Sequence, residues 1–95
     1  MKSSSVPVAL FRLGRLVATP NALESIPPGD VSKAISRHQA GDWGDVPEDD
    51  RIANDHALAQ GGRLFSVYHS ADGVRFYLIT EADRSVTTVL LPSDY

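Results

Sequence analysis

The sequence predicts an α+β domain in which two to three helices pack on an antiparallel sheet that ends in a three-stranded meander. Three observations point there. The hydrophobic period is helical from Asp30 to Gly61, it becomes two from Arg63 onward, and Asp72-Gly73 divides two alternating, aromatic-rich runs. With 95 residues and 42% hydrophobic content, residues 1–95 read as one domain, with 1–5 expected to be disordered.

Each element has its own signal. Val8 to Ala18 alternates imperfectly, with Phe11, Leu13 and Val17 on one side and Leu10 and Leu16 on the other, and reads as a first strand. Thr19-Pro20 is a capping hydroxyl followed by proline at the first helical position, and Pro27-Pro28 stops that helix within two turns. The second helix is expected to be capped by Asp30, to bury Val31, Ala34, Ile35 and His38, and to end at Gly41. A third is expected to start at Asp45 with Glu48 in a capping box. Ile52, Ala53, Ala57 and Leu58 give it a thin apolar face suited to an edge position. The meander is RLFSVYHS, VRFYLIT and VTTVLLP, and glycine at 73 supplies the positive φ that its first turn needs. Either Phe65 and Val67 with Phe76 and Leu78, or Leu64 and Tyr68 with Tyr77 and Ile79, would face the helices.

Composition narrows the function. The absence of cysteine excludes a disulfide framework, a thiol nucleophile and a thiolate metal site, and suits a cytoplasmic protein. No apolar run reaches the length of a membrane span, so the expectation is a soluble chain without membrane contact. A net charge of −3 argues against direct nucleic-acid binding by phosphate neutralisation. Phosphate loops, nucleophile elbows, dinucleotide glycines and metal-ligand pairs at helical spacing are absent, and neither cofactor nor metal is expected.

Two constellations stand out. The first is RHQAGDWGD, residues 37–45, where His38 and Asp42 stand four apart and the single tryptophan lies between glycines. It reads as acid/base chemistry only if the helix runs on through Gly41. Otherwise it is a joint between helices, with Gly41 and Gly44 supplying backbone freedom and Trp43 plugging the core. Asp42, Asp45, Glu48, Asp49, Asp50 and Asp55 then form an acidic stretch broken only by Arg51. The second is EADRS, residues 81–85. A metal-independent ribonuclease needs a carboxylate base, an arginine for the phosphorane and a histidine acid, and Glu81, Arg84 and His69 or His38 are the candidates. The same residues are also ordinary hairpin composition.

LGRLVATPNALE, RHQAGDWGDVPEDDRIANDHAL and ITEADRSVTTVLLPSDY together make residues 13–95 resemble a family of short bacterial proteins of uncharacterised activity. These are carried on plasmids, integrated elements and phage-related islands. The resemblance implies no catalytic residue. It implies a mobile-element setting, in which small proteins act by binding, for example as inhibitors of a host restriction or CRISPR complex. The leading expectation is accordingly a non-catalytic interaction protein whose partner-binding surface is Asp42, Trp43, Asp45, Glu48, Asp49 and Asp50, imitating the charge of a nucleic acid. The alternatives are the ribonuclease and a homodimeric regulator joined at an exposed sheet edge.

Overall fold

In a computed structural model the described residues are 9–95, so the expected disorder of residues 1–5 and the expected strand start at Val8 lie outside them. The elements are β1 (Arg15–Ala18), α1 (Pro20–Ser25), α2 (Pro28–Gln39), α3 (Glu48–Gln60), β2 (Leu64–His69), β3 (Arg75–Thr80), β4 (Val86–Leu90) and a 3₁₀ turn over Pro92–Asp94. They form an α+β fold with the helices packed on a four-stranded sheet of order β1-β4-β3-β2. β2, β3 and β4 pair antiparallel in succession, as the meander predicts. β1 joins β4 in parallel, so the sheet is mixed rather than wholly antiparallel.

Local chemistry explains the boundaries that differ from expectation. β1 begins only at Arg15. Gly14 before it holds φ +67° with its backbone packed on Arg84 and Ser85, and the Leu10 N–H is spent on the Gln39 carbonyl at the end of α2. Thr19 caps α1 as expected, its hydroxyl accepting from the Ala22 N–H. α2 is not capped by Asp30. It starts earlier, at Pro28, where a residue without an N–H loses nothing, and the Asp30 carboxylate instead accepts the Ala71 N–H from the β2–β3 turn. Its buried positions, Ala34 and His38, and its half-buried Val31 and Ile35 follow the predicted spacing.

α3 does not start at Asp45, because the Asp45 N–H is donated to the Val67 carbonyl at the edge of β2. The helix begins after Pro47, with Glu48, Asp49 and Asp50 in its first turn. Its buried face is also not the expected one. The Asn54 side chain donates to the Phe65 carbonyl (2.7 Å) and accepts the Phe65 N–H (3.0 Å), which fixes Asn54 toward the sheet. Residues two apart on a helix are turned by about 200°. Ile52 therefore points away and is 53% exposed, Ala53 is exposed, and Ala57 and Leu58 alone keep their predicted side.

Neither predicted sheet face is the observed one. The register sets Tyr68 opposite Phe76, Ser66 opposite Leu78 and Leu64 opposite Thr80, so even-numbered residues face even-numbered ones. The helix side carries Tyr68, Phe76, Leu78 and Val89, packed with Ala22, Ile26 and Ala34. Leu64 packs with Trp43 and Ala57 in a second cluster. Phe65, Tyr77 and Ile79 lie on the opposite face, where the rings of Phe65 and Tyr77 meet edge-on at 4.8 Å.

RHQAGDWGD resolves as a joint that doubles as an edge strand. Gly44 bridges to Val67 in parallel, the Val67 N–H donates to the Trp43 carbonyl, and the Asp45 N–H returns a bond to Val67. Gly44 has φ +76°, and a Cβ there would collide with the Val67 carbonyl. Gly44→Ala is expected to cost about 2 kcal/mol or more, combining a left-handed backbone penalty with that clash. Gly29→Ala, in open space on α2, should stabilise by about 0.4–1 kcal/mol. Urea denaturation of both variants checks the contrast.

Candidate functional site

His38 is fully buried, and its surroundings fix its proton. Nδ1 lies 2.6 Å from the Ser66 hydroxyl and Nε2 lies 2.8 Å from the Thr80 hydroxyl. Thr80 is 2.7 Å from Thr87, and Thr87 donates to the Leu13 carbonyl. A carbonyl can only accept, so the directions follow in sequence. Thr87 gives its hydrogen to Leu13, Thr80 must therefore give its own to Thr87, and the Thr80 oxygen accepts Nε2–H. Nδ1 is left bare and accepts from Ser66. His38 is thus the neutral Nε2–H tautomer. Burial first, and the positive charge of Arg84 in the same sense, together lower its pKa from 6.5 to about 4. Phe11 and Trp43 meet the imidazole edge-on at 5.1 and 5.6 Å.

Arg84 is equally engaged. It sits in the turn between β3 and β4 with φ +61°, and its guanidinium donates to the carbonyls of Gly62, Glu81, Ala82 and Ala57. Ala57 lies in the last turn of α3 and Gly62 just beyond its cap, and that turn has no basic residue of its own. Arg84 therefore supplies from the hairpin the cation that satisfies the negative end of that helix. Glu81 pairs at the surface with Arg63 at 3.2 Å.

The ribonuclease set is not assembled. Leu64 pairs with Thr80 and His69 with Arg75, so Glu81 and His69 lie at opposite ends of the β2–β3 ladder, about 15 Å or more apart at the rise of a strand. His69 lines a cavity of about 260 Å³ with Lys33 and Arg37, and Glu81 lines another of about 250 Å³ with Arg63 and Tyr95. Arg84 lines neither, and His38 has no solvent contact.

The acidic stretch divides into anchored and free members. Asp42 accepts two bonds from Arg37, which holds its carboxyl below the usual carboxylate range, and its backbone carbonyl takes the Tyr68 hydroxyl at 2.6 Å. Glu48 is held low in the same way by Arg51, which also reaches Asp55 at 3.0 Å. Trp43, expected at the contact surface, is only 3% exposed and donates its indole N–H to Asp55. It is a core anchor rather than a contact residue. Asp45, Asp49 and Asp50 are exposed and stand in none of the four ion pairs among the described residues. A cleft of about 210 Å³ opens between the bend and α3, lined by Trp43, Val46, Arg51 and Asp55 among others.

Ser66, Thr80, Thr87 and Asn54, the polar residues that organise this region, carried no sequence motif. The one available signal was hydroxyls at same-face positions of neighbouring strands. Among the described residues no group of three His, Cys, Asp or Glu side chains could hold a metal ion, and no helix is long and apolar enough to cross a membrane. No family model, curated protein or solved structure matches the chain.

Two outcomes follow from this geometry. Above pH 6.5 His38 is neutral whether folded or unfolded, whereas between pH 6.5 and 4 only the unfolded chain takes up the proton. The stability His38 contributes is complete above pH 6.5 and is lost as pH falls toward 4, at about 1.4 kcal/mol per pH unit. Denaturation midpoints of the wild type and His38→Gln across that range should differ in slope by one proton. Arg84→Lys, which keeps the charge but loses the fork, should cost about 1.5–3 kcal/mol in the same assay.

Proposed function

We propose that this chain is a non-catalytic interaction protein that docks through the acidic bend and the first turn of α3. Asp45, Asp49 and Asp50 are the primary contacts, with Asp42 and Glu48 beside them. The single observation that carries the reading is the mount. Backbone bonds between Val67 and Trp43 and Asp45, the buried indole and the Arg37–Asp42 pair fix the main chain of the bend that leads into the first turn of α3 before any partner arrives. A main chain held this way loses little freedom on binding, and the exposed carboxylates it carries steer a cationic partner by their field. The partner class that fits is a protein with a basic groove built for nucleic acid, and a host restriction or CRISPR nuclease meets that description. The engagement of His38 and Arg84 in internal hydrogen bonds favours this reading over the ribonuclease.

The test uses purified host nuclease, its DNA, and increasing amounts of this protein. Wild type should displace DNA in a manner that weakens with salt, and Asp49→Asn/Asp50→Asn should lose at least tenfold in potency while keeping its melting temperature within a few degrees. Equal potency of the double variant would remove this surface from consideration. RNA incubated with wild type should stay intact, and cleavage abolished by Glu81→Ala would revive the enzyme.

A further inference from the structure

The two edges of the sheet are treated differently. On β2 the Phe65 N–H and C=O are taken by the Asn54 amide, and the Val67 N–H and C=O by Trp43 and Asp45, so that edge is closed to another strand. On β1, the Arg15 N–H donates to Ser85 and the Thr19 N–H to Val89. Alternate residues of a strand bond to alternate sides, so Arg15, Val17 and Thr19 serve β4 while Leu16 and Ala18 direct their N–H and C=O groups outward. Among the described residues no hydrogen bond from beyond β1 reaches Leu16 or Ala18. Leu16 is 47% exposed and Leu23, on the helix that follows, 69% exposed. The strand carries no acidic residue and a single arginine.

We propose that β1 is the seam of a homodimer, in which β1 of a second copy pairs antiparallel with it about a two-fold axis at Val17. Parity limits the register, because only outward-facing residues can exchange hydrogen bonds; with the axis at Val17, Leu16 lies opposite the partner subunit's Ala18, and Ala18 opposite the partner subunit's Leu16. Val17 then meets the partner subunit's Val17 as a non-hydrogen-bonded pair, the closer of the two kinds. Arg15 falls opposite the partner subunit's Thr19, so no like charges oppose one another across the seam. Centring the axis on Leu16 would spend the outer bonds on Gly14, which has no side chain to pack. The strand is therefore compatible with itself in charge, apolar against apolar, and an isologous contact closes after one copy is added. The result is a continuous sheet of twice the width, flanked by the closed β2 edges. This seam is separate from the acidic face and does not rest on it.

Two variants test the pairing. Leu16→Pro removes an N–H that β4 does not use, so it should keep the native circular dichroism spectrum yet sediment as a monomer of 10.3 kDa, where wild type at high concentration approaches twice that mass. Val17→Cys supplies the sole thiol of the chain at the close-paired position and should form a disulfide-linked dimer with oxidised glutathione, whereas Ser32→Cys, on the exposed side of α2, should not. Asp49→Asn/Asp50→Asn should keep the dimer mass. A wild type that stays monomeric at millimolar concentration, an undiminished dimer with Leu16→Pro, or equal cross-linking at positions 17 and 32 would overturn the proposal.

Discussion

A neutral imidazole inside a one-way series of hydroxyls is the constraint on which the rest of this fold depends. Starting at Ser66, the hydrogens point through His38, Thr80 and Thr87 to the carbonyl of Leu13, joining α2, all three strands of the meander and the segment that leads into β1. Each member has exactly the donor or acceptor its neighbour lacks, and no buried side-chain polar atom among the described residues is left without a partner. Such a series tolerates no substitution that changes the count of hydrogens, because one missing donor strands an acceptor in the core. The imidazole stays uncharged because burial strips water from a charged ring, with the guanidinium of Arg84 adding its repulsion.

Two further side chains act as substitutes for backbone. The Asn54 amide offers β2 the paired donor and acceptor that a neighbouring strand would offer, and Arg84 adds donors to the carbonyls at the end of α3 beside the one that its cap residue Gly61 supplies. Both sit where a small domain would otherwise expose unpaired main-chain groups. The functional reading grows from these supports. Once the β2 edge and the end of α3 are secured, the intervening acids stand on a frame that side-chain fluctuations do not distort.

The sequence made the element types legible because their signals are local: Thr19-Pro20, Asp72-Gly73 and the change of period at Arg63. What it concealed was long-range. Nothing near β1 indicates that it runs parallel to β4, a pairing set by strands that follow it by some seventy residues. The start of α3 was misplaced because the Asp45 N–H answers to Val67 and not to its own helix. The buried side of α3 was misjudged because a pattern of apolar residues cannot reveal an asparagine that binds main chain. At the candidate site, the density of acids was plain in the letters, but the sorting into anchored Asp42 and Glu48 and free Asp45, Asp49 and Asp50 depends on where Arg37 and Arg51 reach. Trp43 was legible as a core residue from its glycine setting, and its expected place on the contact surface fails because the indole is buried and spends its N–H on Asp55.

The order in which the molecule can be built follows from its latch between ends. The Thr19 hydroxyl donates to the Asp94 carboxylate across 75 positions of chain, and Asn21 and the Leu91 N–H hold the same group. Closing so large a loop is entropically costly until other contacts have brought its ends near. The hairpins, with their short connections, can assemble first, and the first strand is then zipped onto a finished template. During synthesis β1 is made some seventy residues before β4, so the edge of β1 that β4 will cover stays unpaired until β4 has been made.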